Sequence, residues 1–257
     1  MKAAIRVVVP LLLLVCAPRA GAQDLHVMTS GAFTAAFREA APQFEQAAHT
    51  KVVTAFGASM GGAPDSIPTR LERGEPADVV ILAREALDDL VKRGKVVAGS
   101  QVDLVRSSIG MAVRAGAPKP DISSVDALRR TLLNAKSIAY SASASGVYLS
   151  TELFPRLGIA DAIKPKSRRI ESERVGTIIA RGDAEIGFQQ ISELLPIAGI
   201  EIVGPLPADA QRVTVFSAGI ATGVKNLDAA KALIRFLSSP AVASAVTGSG
   251  LEPVRAR

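Results

Sequence analysis

Beyond Asp24 the sequence predicts an α/β fold with largely parallel sheets. Short β-type apolar runs alternate with helical patterns of about 10 to 16 residues. Of the 257 residues, 48% are hydrophobic and 21% charged, which is ample for one or two packed cores and excludes disorder. Several of the apolar runs end in small polar loops that lead into a helix, the usual ligand-facing side of such sheets.

The first predicted strand is Leu25–Met28, followed by a helix in which Phe33, Phe37, Ala40, Ala41 and Phe44 recur at helical spacing. Lys51–Ala55 and Asp78–Leu82 are the next strands. Ala86, Leu87, Leu90 and Val91 then mark a helix with Lys92 and Arg93 near its C-terminal end and Gly94 as its stop. Strands follow at Ile109–Arg114 and Ser137–Tyr140, then a helix from near Gly146, then strands at Glu185–Phe188, Glu201–Val203 and Val213–Gly219. Ala229–Leu237 is a helix ended by Ser239-Pro240, and a last helix starts at Ala241. The Gly/Pro-rich stretches Ala115–Pro120 and Gly204–Pro207 bracket a middle segment that reads as its own lobe.

Residues 1–22 have the three-part layout of a secretory signal peptide. Lys2 and Arg6 open it, an apolar run from Val7 to Ala17 follows, and Ala20-Gly21-Ala22 closes it. The apolar run is shorter than the roughly 20 residues a membrane-spanning helix needs. Cleavage after Ala22 would remove Cys16, the only cysteine, leaving an exported chain whose stability rests on core burial. It would also remove three basic residues, leaving 27 basic against 24 acidic, a net charge of +3 in place of +6. That balance and the 4% aromatic content argue against nucleic acid as a partner, and the expected mature protein is periplasmic, monomeric and not membrane-embedded.

Three strand ends carry the same chemistry. Thr29-Ser30-Gly31-Ala32, Gly57-Ala58-Ser59-Met60-Gly61-Gly62 and Tyr140-Ser141-Ala142-Ser143-Ala144-Ser145-Gly146 each join hydroxyls to small residues. Hydroxyls and exposed N–H groups at helix starts suit a bound anion without a metal or cofactor. The alternative is that Ser30, Ser59 and Ser145 are ordinary caps and turn residues. A fourth strand end offers the amides of Gln189 and Gln190, able to orient a carboxylate or hydroxyl, or else a solvated helix start. Arg174 either clamps an oxyanion or pairs with a neighbouring glutamate. No HExxH, CxxC or GxxxxGK[ST] pattern occurs, and His26 and His49 read as structural or solvated, so no catalytic residue and no metal ligand stands out.

The segments LHVMTSGAFTAAFREAAPQFEQ, KVVTAFGASMGG, RLERGEPADVVILAREALDDLVKRGKV, RGDAEIGFQQISELL and AAKALIRFLSSPAVASAVTGSGLEPV resemble the periplasmic molybdate-binding proteins of ABC transporters and their relatives. The resemblance implies a two-lobed, type II periplasmic binding fold, each lobe a mainly parallel sheet flanked by helices, joined by a two-strand hinge. It implies lobe 1 at 23–107, lobe 2 at 108–212 and a return to lobe 1 at 213–257. Ser30 and Ser59 match the family's oxyanion-binding hydroxyls, while Ser141–Ser145 and Arg174-Val175 match its second-lobe contacts. The expected ligand set is therefore Thr29, Ser30, Ser59, Ser141, Ser143, Ser145, Arg174, Val175, Gln189 and Gln190. This chain departs from the pattern in having Phe188 and Gln189 where molybdate binders carry a Tyr hydroxyl, which leaves room for an organic anion. Two functions follow from the resemblance: capture of a small oxyanion or organic acid for an ABC-type permease, or cofactor-free isomerisation of an unsaturated tricarboxylate, as in the aconitate isomerase branch.

Overall fold

A computed structural model describes residues 24–254, so the expected signal peptide lies outside the described residues. In chain order the elements begin with β1 (Leu25–Ser30), a 3-10 turn (Gly31–Phe33), α1 (Thr34–Ala48), β2 (Val52–Gly57), α2 (Ile67–Glu72), β3 (Val79–Ala83) and α3 (Arg84–Lys92). After them come β4 (Val102–Ser107), β5 (Ile109–Arg114), α4 (Val125–Asn134), β6 (Ile138–Ser141), α5 (Ala144–Tyr148), α6 (Phe154–Arg156) and α7 (Ala160–Ile163). The remainder is β7 (Ser167–Ile170), α8 (Val175–Arg181), β8 (Ile186–Gln190), α9 (Ile191–Leu194), β9 (Ile200–Pro205), β10 (Thr214–Ile220), α10 (Leu227–Leu237), α11 (Ala243–Gly248) and β11 (Glu252–Pro253).

The strands form two sheets. One has the order β11-β4-β10-β3-β1-β2, the other β7-β6-β8-β5-β9. The runs β2-β1-β3 and β7-β6-β8 are parallel, as expected of strands joined through helices. Antiparallel pairing enters where the chain changes sheet: β10 runs against β3 and β4, and β5 against β8 and β9. Those changes fall between β4 and β5, which only Ser108 separates, and between β9 and β10.

Each sheet has its own core. Phe33, Phe37 and Phe44 of the α1 region pack with Leu233 and Leu237 of α10 over the first sheet, their four-residue and seven-residue spacings forming one apolar stripe. Met111, Leu128, Leu149, Leu153 and Phe188 fill the second. Burying a side chain of that size contributes about 1.5–3 kcal/mol, so each cluster holds its helices against its own sheet.

Three strands lie outside the expected set: β11 is only two residues long, and two others carry no apolar alternation. β7 is an edge strand with Arg168 and Arg169 exposed. β4 holds Asp103 and Arg106 in its middle; Asp103 is satisfied by Arg84 Nη1 at 2.7 Å and by the Ser217 hydroxyl at 2.6 Å. Several other strands run one or two residues past their expected ends, because the polar residues there stay in the ladder: Thr29 and Ser30 close β1, and Gln189 and Gln190 close β8.

Candidate functional site

The carboxyl ends of β1, β2, β6, β7 and β8 face one another across a cleft of about 200 Å3. A single water needs roughly 10–15 Å3 of such space, so the cleft takes a ligand of many heavy atoms. Eight of the ten expected residues line it: Ser30, Ser59, Ser141, Ser143, Ser145, Arg174, Gln189 and Gln190. Thr29 and Val175 sit behind it, both fully buried.

Local geometry argues against the capping alternative for Ser30, and Ser143 is no cap either. Ser30 precedes the 3-10 turn and Ser143 precedes α5, yet neither side chain caps its helix. Among the described residues the buried hydroxyls of Ser30 and Thr29 have no partner. An unpaired buried hydroxyl costs about 1–3 kcal/mol, and one at a cleft wall is relieved when a ligand oxygen arrives. Ser59 Oγ accepts from the Ala83 N–H at 3.0 Å, which leaves its own proton to donate. Its N–H donates to Ser143 Oγ at 3.2 Å, tying the loop after β2 to the loop after β6. Ser141 and Ser145 share a hydrogen bond at 3.1 Å, and the chain turns tightly enough there that a Cβ on Gly146 would collide with the Ser141 carbonyl. A further bond from the Ser172 hydroxyl to Asp65 at 3.3 Å closes the rim between the two sheets.

Arg174 stands at the start of α8 and faces the cleft. Its neighbours are engaged elsewhere, Glu171 with Arg169 and Glu173 with Arg181. Among the described residues Arg174 makes no ion pair, so its guanidinium is available to a ligand.

The two glutamines divide their work. Gln190 is a hinge residue: with its amide oriented to satisfy both sides, Nε2 donates to Ser107 Oγ at 2.8 Å and Oε1 accepts from Thr214 Oγ1 at 3.1 Å, joining both crossings between the sheets. Gln189 accepts from the Val175 N–H at 2.9 Å and donates to Glu193 Oε1 at 3.0 Å. The Val175 N–H therefore serves the protein, and Phe188 lies wholly in the second core.

Glu193 was missed by sequence reasoning. It follows β8 on the short helix α9, where an acid reads as an ordinary solvated helix-start residue. Its carboxyl instead lies beside Gly31 in the cleft wall; a Cβ at Gly31 would collide with Oε1. Burial raises its pKa from 4.5 to about 7, opposed by the positive charge of Arg174 and by the Gln189 hydrogen bond. A carboxyl with an affinity for protons near neutrality, in a cleft with hydroxyl donors and an unpaired arginine, is equipped to take and return a proton. The faint signal in the sequence was its position four residues after Gln189, one helical turn from a strand end. No group of three His, Cys, Asp or Glu residues among the described residues is placed to hold a metal.

Two sheets flanked by helices, linked by two crossings, with a polar cleft between their carboxyl ends, define a type II periplasmic binding fold. The chain belongs to the bacterial extracellular solute-binding protein family, whose profile matches residues 25–252. It is 48% identical over 249 residues to an aconitate isomerase of a Pseudomonas species, covering 96% of this chain and 95% of that protein. It is 27% identical over 247 residues to the molybdate-binding protein ModA of Azotobacter vinelandii, covering 93% and 92% of the two chains. The solved periplasmic molybdate-binding protein of Azotobacter vinelandii superposes with a TM-score of 0.70 at 22% identity, over 91% of this chain and 100% of that one, a likeness of fold.

Proposed function

We propose that this chain is a cofactor-free isomerase that moves the double bond of an unsaturated tricarboxylate such as aconitate, with Glu193 as the base. The observation that carries the reading is the carboxyl of Glu193, held in the cleft with its pKa raised to about 7. The 48% identity to a protein named aconitate isomerase supports it.

In the reaction Glu193 removes a proton from the methylene carbon next to a substrate carboxylate. The electron pair left behind spreads through the adjacent double bond onto a carboxylate oxygen. Glu193, now protonated, returns the proton to the other end of the three-carbon unit, and the double bond is left one position along. No atom or electron is gained or lost. The difficult species is the extra negative charge on the carboxylate, and hydroxyls of Ser30, Ser59, Ser141 and Ser145 with the Arg174 guanidinium supply donors for it. Gln189 orients the base through the 3.0 Å bond to Oε1. A pKa near neutrality suits both halves of the cycle, since the same group must accept the proton and release it.

A second reading, capture of an anion for an ABC-type permease in the periplasm, is favoured by the family and by donors reaching the cleft from both sheets. Incubation of the purified protein with cis- or trans-aconitate, followed by NMR of the ligand, separates the two. Interconversion of the isomers supports the enzyme; a bound but unchanged ligand leaves the binder.

A further inference from the structure

We propose that Arg38 reads the third carboxylate of the substrate and so selects tricarboxylates over smaller acids. The proposal rests on the tricarboxylate reading above but concerns recognition, not chemistry. Two arginines line the cleft, Arg174 from the second sheet's side and Arg38 from α1 on the first. Arg38 lies one helical turn beyond Thr34, which also lines the cleft and whose hydroxyl donates to the Ser30 carbonyl at 3.1 Å. Ser30, Thr34 and Arg38 thus form a line from the buried end of the cleft to its mouth.

The guanidinium of Arg38 lies over the Phe56 ring, 4.7 Å from its centre. A cation held over a ring face in this way is steadied in position while its N–H groups stay free to donate to a carboxylate. Among the described residues Arg38 makes no ion pair. The acids of the cleft are otherwise committed: Glu171 and Glu173 pair with arginines outside it, Asp65 accepts from Ser172, and Glu193 is bonded to Gln189. Three unfilled anchors remain, the serine cradle, Arg174 and Arg38. A tetrahedral oxyanion fills one of them and a dicarboxylate two. Three carboxylates on a short carbon chain fill all three, pairing both cations while the serine cradle is also occupied.

The test is calorimetric binding of propane-1,2,3-tricarboxylate, a saturated acid that cannot be isomerised, beside glutarate and succinate, to the wild-type protein and to Arg38→Leu. Arg38→Leu is expected to weaken tricarboxylate binding at least tenfold while leaving the affinity for at least one dicarboxylate within twofold. Arg38→Lys keeps the charge but not the planar fork and should recover only part of the loss. An unchanged tricarboxylate affinity in Arg38→Leu, an equal loss for all three acids, or no tricarboxylate binding by the wild type would overturn the proposal. Because the probe is inert, the result is independent of turnover: a protein that leaves aconitate unconverted yet shows this selectivity refutes the isomerase and keeps Arg38, and the converse result does the opposite.

Discussion

Replacing Glu193 by Gln tests the central claim without any substrate. The variant keeps the size of the side chain and an oxygen to accept from Gln189, but cannot ionise. In the wild type the carboxyl shifts from 4.5 unfolded to about 7 folded. At 1.36 kcal/mol for each pH unit, that corresponds to about 3 kcal/mol, an upper bound because the residue keeps some contact with water. The sign follows from proton counts. Between pH 4.5 and about 7 the folded chain holds a proton that the unfolded chain has released, so wild-type stability falls as pH rises through that window and levels off above it. Glu193→Gln lacks this loss. Urea unfolding of both proteins at several pH values from about 4 to 8.5 isolates the group, since every other titration cancels in the difference. The variant should gain on the wild type by up to about 3 kcal/mol across the window. A difference that stays constant with pH would show an ordinary solvated glutamate and remove the basis for its role. Under turnover, the wild-type kcat/KM should rise with pH through about 7, where the base ionises, and Glu193→Gln should lose about 10²–10⁴-fold in kcat.

Three further substitutions probe the surroundings. Gly31→Ala drives a methyl into the Glu193 carboxyl and should lower kcat by about tenfold or more while circular dichroism stays native, because a small misplacement of a catalytic group is costly. Gln189→Leu removes a hydrogen bond that lowers the Glu193 pKa, so the rising limb of the pH–rate profile should move above 7; leaving the Val175 N–H unpaired should also cost about 1–3 kcal/mol in urea unfolding. Ser59→Ala should weaken ligand binding by about 1–3 kcal/mol in a thermal-shift or calorimetric titration and destabilise the empty protein as well, since the Ala83 N–H loses its acceptor. Wild-type affinity in that variant would take Ser59 out of the site.

Where apolar periodicity was strong, the sequence was readable. The α1 stripe of Phe33, Phe37 and Phe44 and the buried runs of β1, β3 and β5 lie where their spacing placed them. Strands with charged or exposed residues escaped, because β4 is held by the Arg84–Asp103–Ser217 cluster and β7 by edge pairing, and neither leaves an alternating pattern. In the cleft, hydroxyl-rich strand ends were visible because composition alone marks them. Glu193 was not, since its character comes largely from Gly31 and Arg174, which are remote in sequence and meet it only in the fold, with Gln189 one helical turn away as the single local contributor. The same holds for the division between Gln189 and Gln190, adjacent residues that a strand turns to opposite faces.

The position of β10 bears on how the chain comes to be folded at all. It lies between β3 and β4 and antiparallel to both, so the first sheet is split in two until residues 214–220 arrive, more than a hundred residues after the strands they join. The five strands of the second sheet come from the uninterrupted stretch 109–205 and need nothing from either end of the chain. Closing so long a loop is slow, and until it closes β3 and β4 present unpaired edges to any other chain nearby. A translation product ending before Thr214 would therefore carry one complete half and one sticky one, which makes aggregation the expected fate of premature stops here.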